Sequence, residues 1–404
     1  MVMKTGKIRI AAWLTACFLL LCCAAGAEAT LKETTRGGKV VRLEWQDENG
    51  TMTTGPEGYA YATRNYSGTT ITEKYFTAAG QPATATGGYY GRMLTYGNRH
   101  RLEEIVYLNE NGQKANCAAG YARLKIAYNS NGGVTALGYY GENGGLVMVP
   151  SLGYAALKSE YRGKILTKTT WLDEKKNPVD TSLGYAVLIQ TVNKNNKLTG
   201  IRFEHADGSA AVCPEGWASC KRELDRNGRE FSVKYYDLSG KMIRLNSGYA
   251  YEEKTWDGDR TCTIARFDES GNPVPAGNGY TLLKQEFSKG LLIRETCLDA
   301  NGKTVEDLTG TAIRTYTWDE DGRLSQVRYA DAQSVPALNS EGCAGYSEMV
   351  DGDGFRIART YLGTDGKPVN TAGGYSEIRY LYDENRLLWG TEYYDVNGVL
   401  VKAE

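Results

Sequence analysis

A glycine followed by a mostly aromatic position returns along this chain at Gly58-Tyr59, Gly88-Tyr89, Gly120-Tyr121, Gly153-Tyr154, Gly184-Tyr185, Gly216-Trp217, Gly248-Tyr249, Gly279-Tyr280, Gly310-Thr311, Gly342-Cys343 and Gly374-Tyr375. The spacing is about 32 residues, a period at which each copy is one supersecondary unit too small to bury a core of its own. Such units are stable only when stacked on their neighbours. A glycine kept in all eleven copies marks a backbone site that needs positive φ or a close approach between chains.

Two further series run at the same period, each opening a turn. One passes through Tyr66, Tyr96, Tyr128 and Tyr161 and on to Trp318, Val350 and Tyr382; the other passes through Trp45, Tyr75, Tyr107, Tyr139 and Trp171 and on to Arg266, Cys297 and Tyr393. Turn sequences follow: "DENG" at Asp47–Gly50, "DRNG" at Asp225–Gly228, "DANG" at Asp299–Gly302, "DVNG" at Asp395–Gly398. An Asp at the first position accepts backbone N–H groups two residues on, and the glycine takes the left-handed conformation that closes a hairpin. Between turns the chain alternates. In "REFSVKYY", Phe231, Val233 and Tyr235 fall on one face and Glu230, Ser232 and Lys234 on the other. The 48 glycines and 29 tyrosines are those of turns and strands, and no window sustains a helical period.

The expected fold is therefore all-β: tandem β-hairpin repeats, about 11 copies with roughly 23 strands in all. A flat sheet of that many strands, at about 4.8 Å each, is rare because strands twist and faces need cover. An elongated β-solenoid or coiled hairpin stack is the expected form. Residues 30–57 read as an N-terminal half repeat or cap, and residues 58–404 as the tandem repeat domain.

Residues 1–29 have a separate reading. Lys4, Lys7 and Arg9 precede an apolar run from Ile10 to Cys23, and Ala27-Glu28-Ala29 is a small-x-small cleavage signal, the pattern of a secretory signal peptide. The mature chain is then expected to start near Thr30 and to be secreted or held at the cell surface. Acylation of Cys22 or Cys23 is the lipoprotein alternative, but Leu21 or Cys22 stands where a lipobox has a small residue. No second apolar run is long enough for a transmembrane span.

Charge and motifs narrow the function. Removing three of the 47 basic and one of the 48 acidic residues with residues 1–29 leaves 44 against 47, so no basic footprint for nucleic acid exists. Six cysteines remain (Cys117, Cys213, Cys220, Cys262, Cys297, Cys343), without CxxC or zinc spacing. Six allow fifteen disulfide pairings. Cys297 and Cys343 occupy slots that other repeats give to aromatics, which fits a buried apolar role. His100 and His205 occupy turn slots, with no partner that the repeat would set beside them, and general-base catalysis needs one. Asp319 with Asp321, Asp351 with Asp353 and Asp257 with Asp259 read as turn residues rather than calcium ligands. No phosphate loop or nucleophile elbow is present, so the expectation is a protein that is not an enzyme, with no catalytic residue, no metal and no cofactor.

The aromatics remain as a binding signal, since ring faces stack on sugars and attract cations. Most are expected in the core. Trp217, the tryptophan in the Gly-Tyr-Ala slot, and the surplus tyrosines Tyr90, Tyr140, Tyr236 and Tyr394 are the candidate ligand-binding residues. Each surplus tyrosine lies beside a ladder aromatic, and adjacent strand residues face opposite ways.

"YLNENGQKANCAAGYA" (Tyr107–Ala122) and "WLDEKKNPVDTSLGYA" (Trp171–Ala186) resemble the choline-binding and glucan-binding repeats of Gram-positive cell-wall-binding proteins. The turns "YDENR" and "YYDVNG" resemble YD-type, RHS-like β-hairpin repeats. The period near 32 is longer than that of wall-binding repeats, roughly 20, and Tyr stands where those favour Trp. The resemblance implies an extracellular hairpin array whose partner is a cell-wall polymer or surface glycan, bound multivalently. The alternative it implies is an adhesion or scaffold solenoid, or a YD-like shell, that binds a surface protein.

Overall fold

In a computed structural model, residues 30–403 are described except positions 48, 56, 276, 353 and 383–387. Residues 1–29, which the sequence reads as a signal peptide, lie outside the described residues with Cys17, Cys22 and Cys23, as do Asp353 and most of "YDENR". Among those described there are 26 strands, one 3-10 turn at Asn98–His100 and no helix long and apolar enough to cross a membrane. The protein is all-β and built of tandem antiparallel hairpins. The strand number exceeds the roughly 23 expected from two per repeat. A leading hairpin (Thr30–Arg36 with Lys39–Gln46), the two-residue strand Ala210–Ala211 and the closing strand Leu400–Ala403 add to the tally.

The chain divides into two compact units, one containing Val41–Gly144 and one containing Gly145–Glu404. In the first, the strands from Lys39–Gln46 to Val134–Tyr140 each pair with the next in sequence. The second follows the same rule from Ala156–Arg162 to Leu400–Ala403, except that Leu198–Glu204 pairs with both the two-residue strand Ala210–Ala211 and Ser219–Leu224. This nearest-neighbour pairing is what uniform turns dictate, because each turn delivers the chain beside the strand it has just left. Many hairpins carry a one-residue register shift at their tip, for example between Ala127 and Tyr128 and between Thr317 and Trp318. That is the bulge expected of a turn closed by a left-handed glycine. Asp225 shows the turn chemistry: Oδ1 accepts from Asn227 N and Arg229 N, both at 2.9 Å.

The glycine of the Gly-Tyr-Ala motif has positive φ in every copy, including Gly120 (+88°) and Gly216 (+91°), and closes a second tight turn. Its N–H bonds three residues back, as in Gly120 N to Cys117 O at 2.9 Å. The following alanine enters the sheet, where Ala60, Ala122, Ala155, Ala186 and Ala250 are sealed completely from solvent. Between glycine and alanine the aromatic is driven onto the covered face. There it meets the aromatic of the next strand end, so the two series interleave into a ladder within each unit. In the first unit the centroid steps are Tyr59–Tyr75 4.6 Å, Tyr75–Tyr89 5.8 Å, Tyr89–Tyr107 4.6 Å, Tyr107–Tyr121 5.6 Å and Tyr121–Tyr139 4.7 Å. In the second, Tyr154, Trp171, Tyr185, Phe203, Trp217, Tyr235 and Tyr249 continue at 4.6 to 6.5 Å. Burial of one such ring is worth about 1.5–3 kcal/mol and each ring pair about 0.5–1.5 kcal/mol more.

Residues 266 to 343 fill the ladder differently. Arg266 takes an aromatic slot, with its guanidinium 5.5 Å from the Tyr249 ring and 5.1 Å from the Tyr280 ring, and donates to Glu252 at 3.0 Å. Cys297, Thr311 and Cys343 occupy the other substituted slots, each sealed to 1% exposure or less. All six cysteines of the described chain are buried free thiols, and burial pushes the Cys297 thiol up to about 11.

A candidate ligand-binding face

Register assigns every strand residue to the ladder face or the opposite one. Cys220 pairs with Tyr235 on the ladder face; Ser219 pairs with Tyr236 on the other. The same holds for Leu124 with Tyr139 against Arg123 with Tyr140, and for Ile378 with Tyr393 against Glu377 with Tyr394. Tyr140, Tyr236 and Tyr394 thus share one slot of the repeat on the face away from the ladder, the slot held elsewhere by Phe76, Leu108, Leu172, Phe267, Leu298 and Leu362. All three are half-buried. The Arg123 guanidinium lies 5.0 Å from the Tyr140 ring. Arg379 lies 4.0 Å from the Tyr394 ring, whose hydroxyl donates to Glu392 at 2.6 Å; burial and that carboxylate push the phenol up to about 12. Among the described residues no ring stacks on Tyr236.

Trp217 is placed differently. Its ring is a ladder rung, 5.0 Å from Phe203 and 5.4 Å from Tyr235, and half-buried beside the cluster of Tyr185, Ile201, Cys213 and Val233. Tyr90 stands in the slot of the sealed alanine. Its N–H donates to Leu108 O at 2.8 Å, as Ala60 N does to Phe76 O, but its side chain is far larger and half-buried.

Two further outward aromatics escaped the sequence reading. Tyr61 stacks on Phe76 (4.9 Å, 15°) with Arg42 at 3.6 Å from its ring, and Tyr251 stacks on Phe267 (4.8 Å, 14°) with Lys234 at 5.9 Å. The signal was present: both follow the ladder motif as "GYAY", at Gly58–Tyr61 and Gly248–Tyr251. Their rings are already covered by protein.

The ladder face also holds ion pairs at positions where other repeats put Leu or Ile. Glu73, 1% exposed, accepts from Arg64 Nε at 2.7 Å, Arg92 Nε at 2.5 Å and Tyr75 Oη at 2.9 Å. Burial alone would raise its pKa; the Arg92 and Arg64 charges outweigh that and hold it at about 2. Glu230 takes Arg222 and Lys254, both at 2.6 Å, and Glu348 takes Arg359 at 2.5 Å and Arg356.

The histidines need one correction. His205, expected to lack a partner, has Nδ1 2.6 Å from Asp180 Oδ2, while Asp180 Oδ1 accepts from Ala206 N at 2.8 Å. The period hides this contact because it joins a loop to the turn of the next repeat, 25 residues on. Asn370 Oδ1 accepts from Val396 N in the same sense, and Glu174 Oε1 accepts from Met148 N in the opposite one, each spanning 26 residues. His100 lies in the 3-10 turn with φ +52°. Asp319 accepts from its own turn at Asp321 N and Arg323 N, and Asp259 pairs with Arg229 at 3.0 Å.

No family pattern and no curated protein matches this chain. Among solved structures it is similar to a TcdB2–TccC3 complex (11% identity, 90% of this chain and 19% of that one, TM-score 0.24). It is also similar to the Photorhabdus luminescens Tc holotoxin pore (13%, 91% and 21%, TM-score 0.21). Alternansucrase in complex with isomaltononaose aligns over 76% of this chain and 18% of that one at 12% identity and TM-score 0.15. The chain spans about a fifth of the length of these proteins, and at such scores neither a shared fold nor a shared activity follows.

Proposed function

We propose that this chain is a non-enzymatic repeat protein, secreted or held at the cell surface, that binds a cell-wall polymer or surface glycan through outward tyrosines. One observation carries the reading: Tyr140, Tyr236 and Tyr394 recur in one register slot on the face away from the ladder, whereas the ladder rings are occupied with each other. Tyr236, half-buried and held at its stem by the sheet, offers a flat surface at little entropic cost, which suits a pyranose face, while Arg123 and Arg379 already lie beside the rings of Tyr140 and Tyr394. One such contact is weak, and several on one chain raise retention by avidity.

The test is co-sedimentation of the chain from Thr30 onward with purified cell-wall sacculi, before and after stripping of accessory polymers. Binding that falls in Tyr236→Ala and falls further in the triple variant with Tyr140→Ala and Tyr394→Ala is expected. A folded chain that does not sediment overturns the reading. It would favour instead a protein partner at the loop positions Leu308, Val335 and Leu338, which are 75%, 55% and 50% exposed where most repeats carry polar or small residues.

A further inference from the structure

We infer that the first unit carries a second, distinct sugar site: a half-open hollow beside Tyr90 that seats one neutral pyranose ring. The inference rests on the glycan-binding reading above and names its ligand class. The hollow measures about 90 Å³ and is lined by Lys74, Phe76, Pro82, Tyr90, Asn109 and Glu110 around Gly91.

Two departures from the repeat lie at it. At position 90 the repeat writes a sealed alanine and this chain writes tyrosine; at position 91 most copies carry a side chain, such as Tyr61, Arg123, Val187 or Tyr251, and this chain has glycine. A Cβ at 91 would lie 2.5 Å from Glu73 O, so the strands approach too closely there for any other residue. The neighbouring strand's backbone closes the hollow at Gly91, and Tyr90 lines it together with Phe76 and Pro82. No ring or cation covers Tyr90 among the described residues, unlike Tyr61 between Arg42 and Phe76.

The polar groups choose the ligand. Lys74 and Glu110 are both exposed at the hollow, one donor and one acceptor of opposite charge. Asn109 spends Oδ1 on Asn111 N and Gln113 N, which leaves its amide nitrogen as a donor. A hydroxyl both donates and accepts, so a neutral polyol satisfies all three, whereas Glu110 opposes an anionic sugar and Lys74 a quaternary ammonium. The apolar walls match the C–H face of a pyranose.

Tyr90→Ala separates binding from folding, because it installs the residue that neighbouring repeats use at that slot. Wild type and this variant, as the chain from Thr30 onward, are titrated with chitotriose and isomaltotriose, with polygalacturonate and choline as charged controls, by saturation-transfer NMR and calorimetry. Saturable binding of a neutral trisaccharide, weakened roughly tenfold by Tyr90→Ala, is expected. The site is rejected if Tyr90→Ala binds as wild type does, if the charged controls bind in place of the neutral sugars, or if neither trisaccharide binds while sacculi still sediment the chain. In that last case the glycan-binding reading stands without this site. Trisaccharide binding without sedimentation by sacculi keeps the hollow and rejects the wall polymer.

Discussion

Two stretches of the second unit solve the same packing problem with different chemistry. From Tyr154 to Tyr249 the ladder is an unbroken run of rings. From Arg266 to Cys343 the backbone keeps the same register, yet four of the six slots hold a guanidinium, two thiols and a hydroxyl, with rings left only at Tyr280 and Tyr329. Space left by the small residues is taken by longer neighbours: Arg314 reaches to 3.9 Å from Cys297 Sγ and pairs with Asp307, and Tyr316 Oη donates to Glu295 at 2.5 Å. Backbone pairing and turns therefore set the fold, and the ladder face tolerates any filling that leaves no void and no unpaired charge. The two fillings differ in what they fear. Rings lose stability when truncated, whereas buried ion pairs lose it when one partner is removed or neutralised.

The largest effects should come from single truncations. Phe203→Ala and Arg266→Ala are each expected to cost about 3–5 kcal/mol, the first by leaving a cavity, the second by leaving Glu252 buried without its cation. Hydrogen exchange of the flanking strands is the suitable readout, because repeat stacks open locally. Equal loss of protection everywhere would contradict nearest-neighbour stability.

Acid should separate the chemistries next. Glu73 in the first unit is held at about 2 against an ordinary value of 4.5, so its pairs contribute fully above pH 4.5 and lose that contribution as the pH falls toward 2. The loss is about 3 kcal/mol. Asp307, also lowered despite burial, adds the same sign in the 266–343 stretch. Exchange protection between Tyr185 and Phe203, a run without a carboxylate, should fall least between pH 5 and 2. A uniform decline would erase the contrast.

Restoring the ring chemistry is a sharper test with a smaller effect. Glu252→Leu with Arg266→Tyr installs residues that other repeats use at both slots, as at Leu124, Leu188, Tyr235 and Phe203. The double variant should be unchanged or up to about 4 kcal/mol more stable, although either single change is destabilising. A destabilised double variant would mean that the ion pair is specified by its surroundings rather than substituted into them. The smallest effect belongs to the outward slot: Tyr236→Ala should shift stability by about 0.5 kcal/mol or less while weakening sedimentation with sacculi.

Much of this was legible without coordinates. The period, the two turn types, the left-handed glycine and the alternation of faces are local or nearest-neighbour properties, and a repeated sequence prints them many times. Hence the placement of Tyr140, Tyr236 and Tyr394 opposite the ladder followed from one parity rule. Trp217 did not, because a tryptophan in a ladder slot looks the same in sequence whether its ring is a rung or a ligand platform. The Tyr90 hollow also stayed hidden, since the sequence does not show that Tyr90 lines one hollow with Phe76, Pro82 and Asn109 while Glu73 O closes against Gly91.

Sequence alone determined that this chain is a series of hairpins with one aromatic-rich face, because hydrogen-bonded turns and strand alternation act over a few residues. Tertiary structure decided where the series divides into two units, which aromatics are consumed by packing, and how Arg266, Glu73 and Glu348 find counter-charges across strands. Those outcomes depend on distances between residues of different repeats, and burial raises or lowers the cost of each by several kcal/mol.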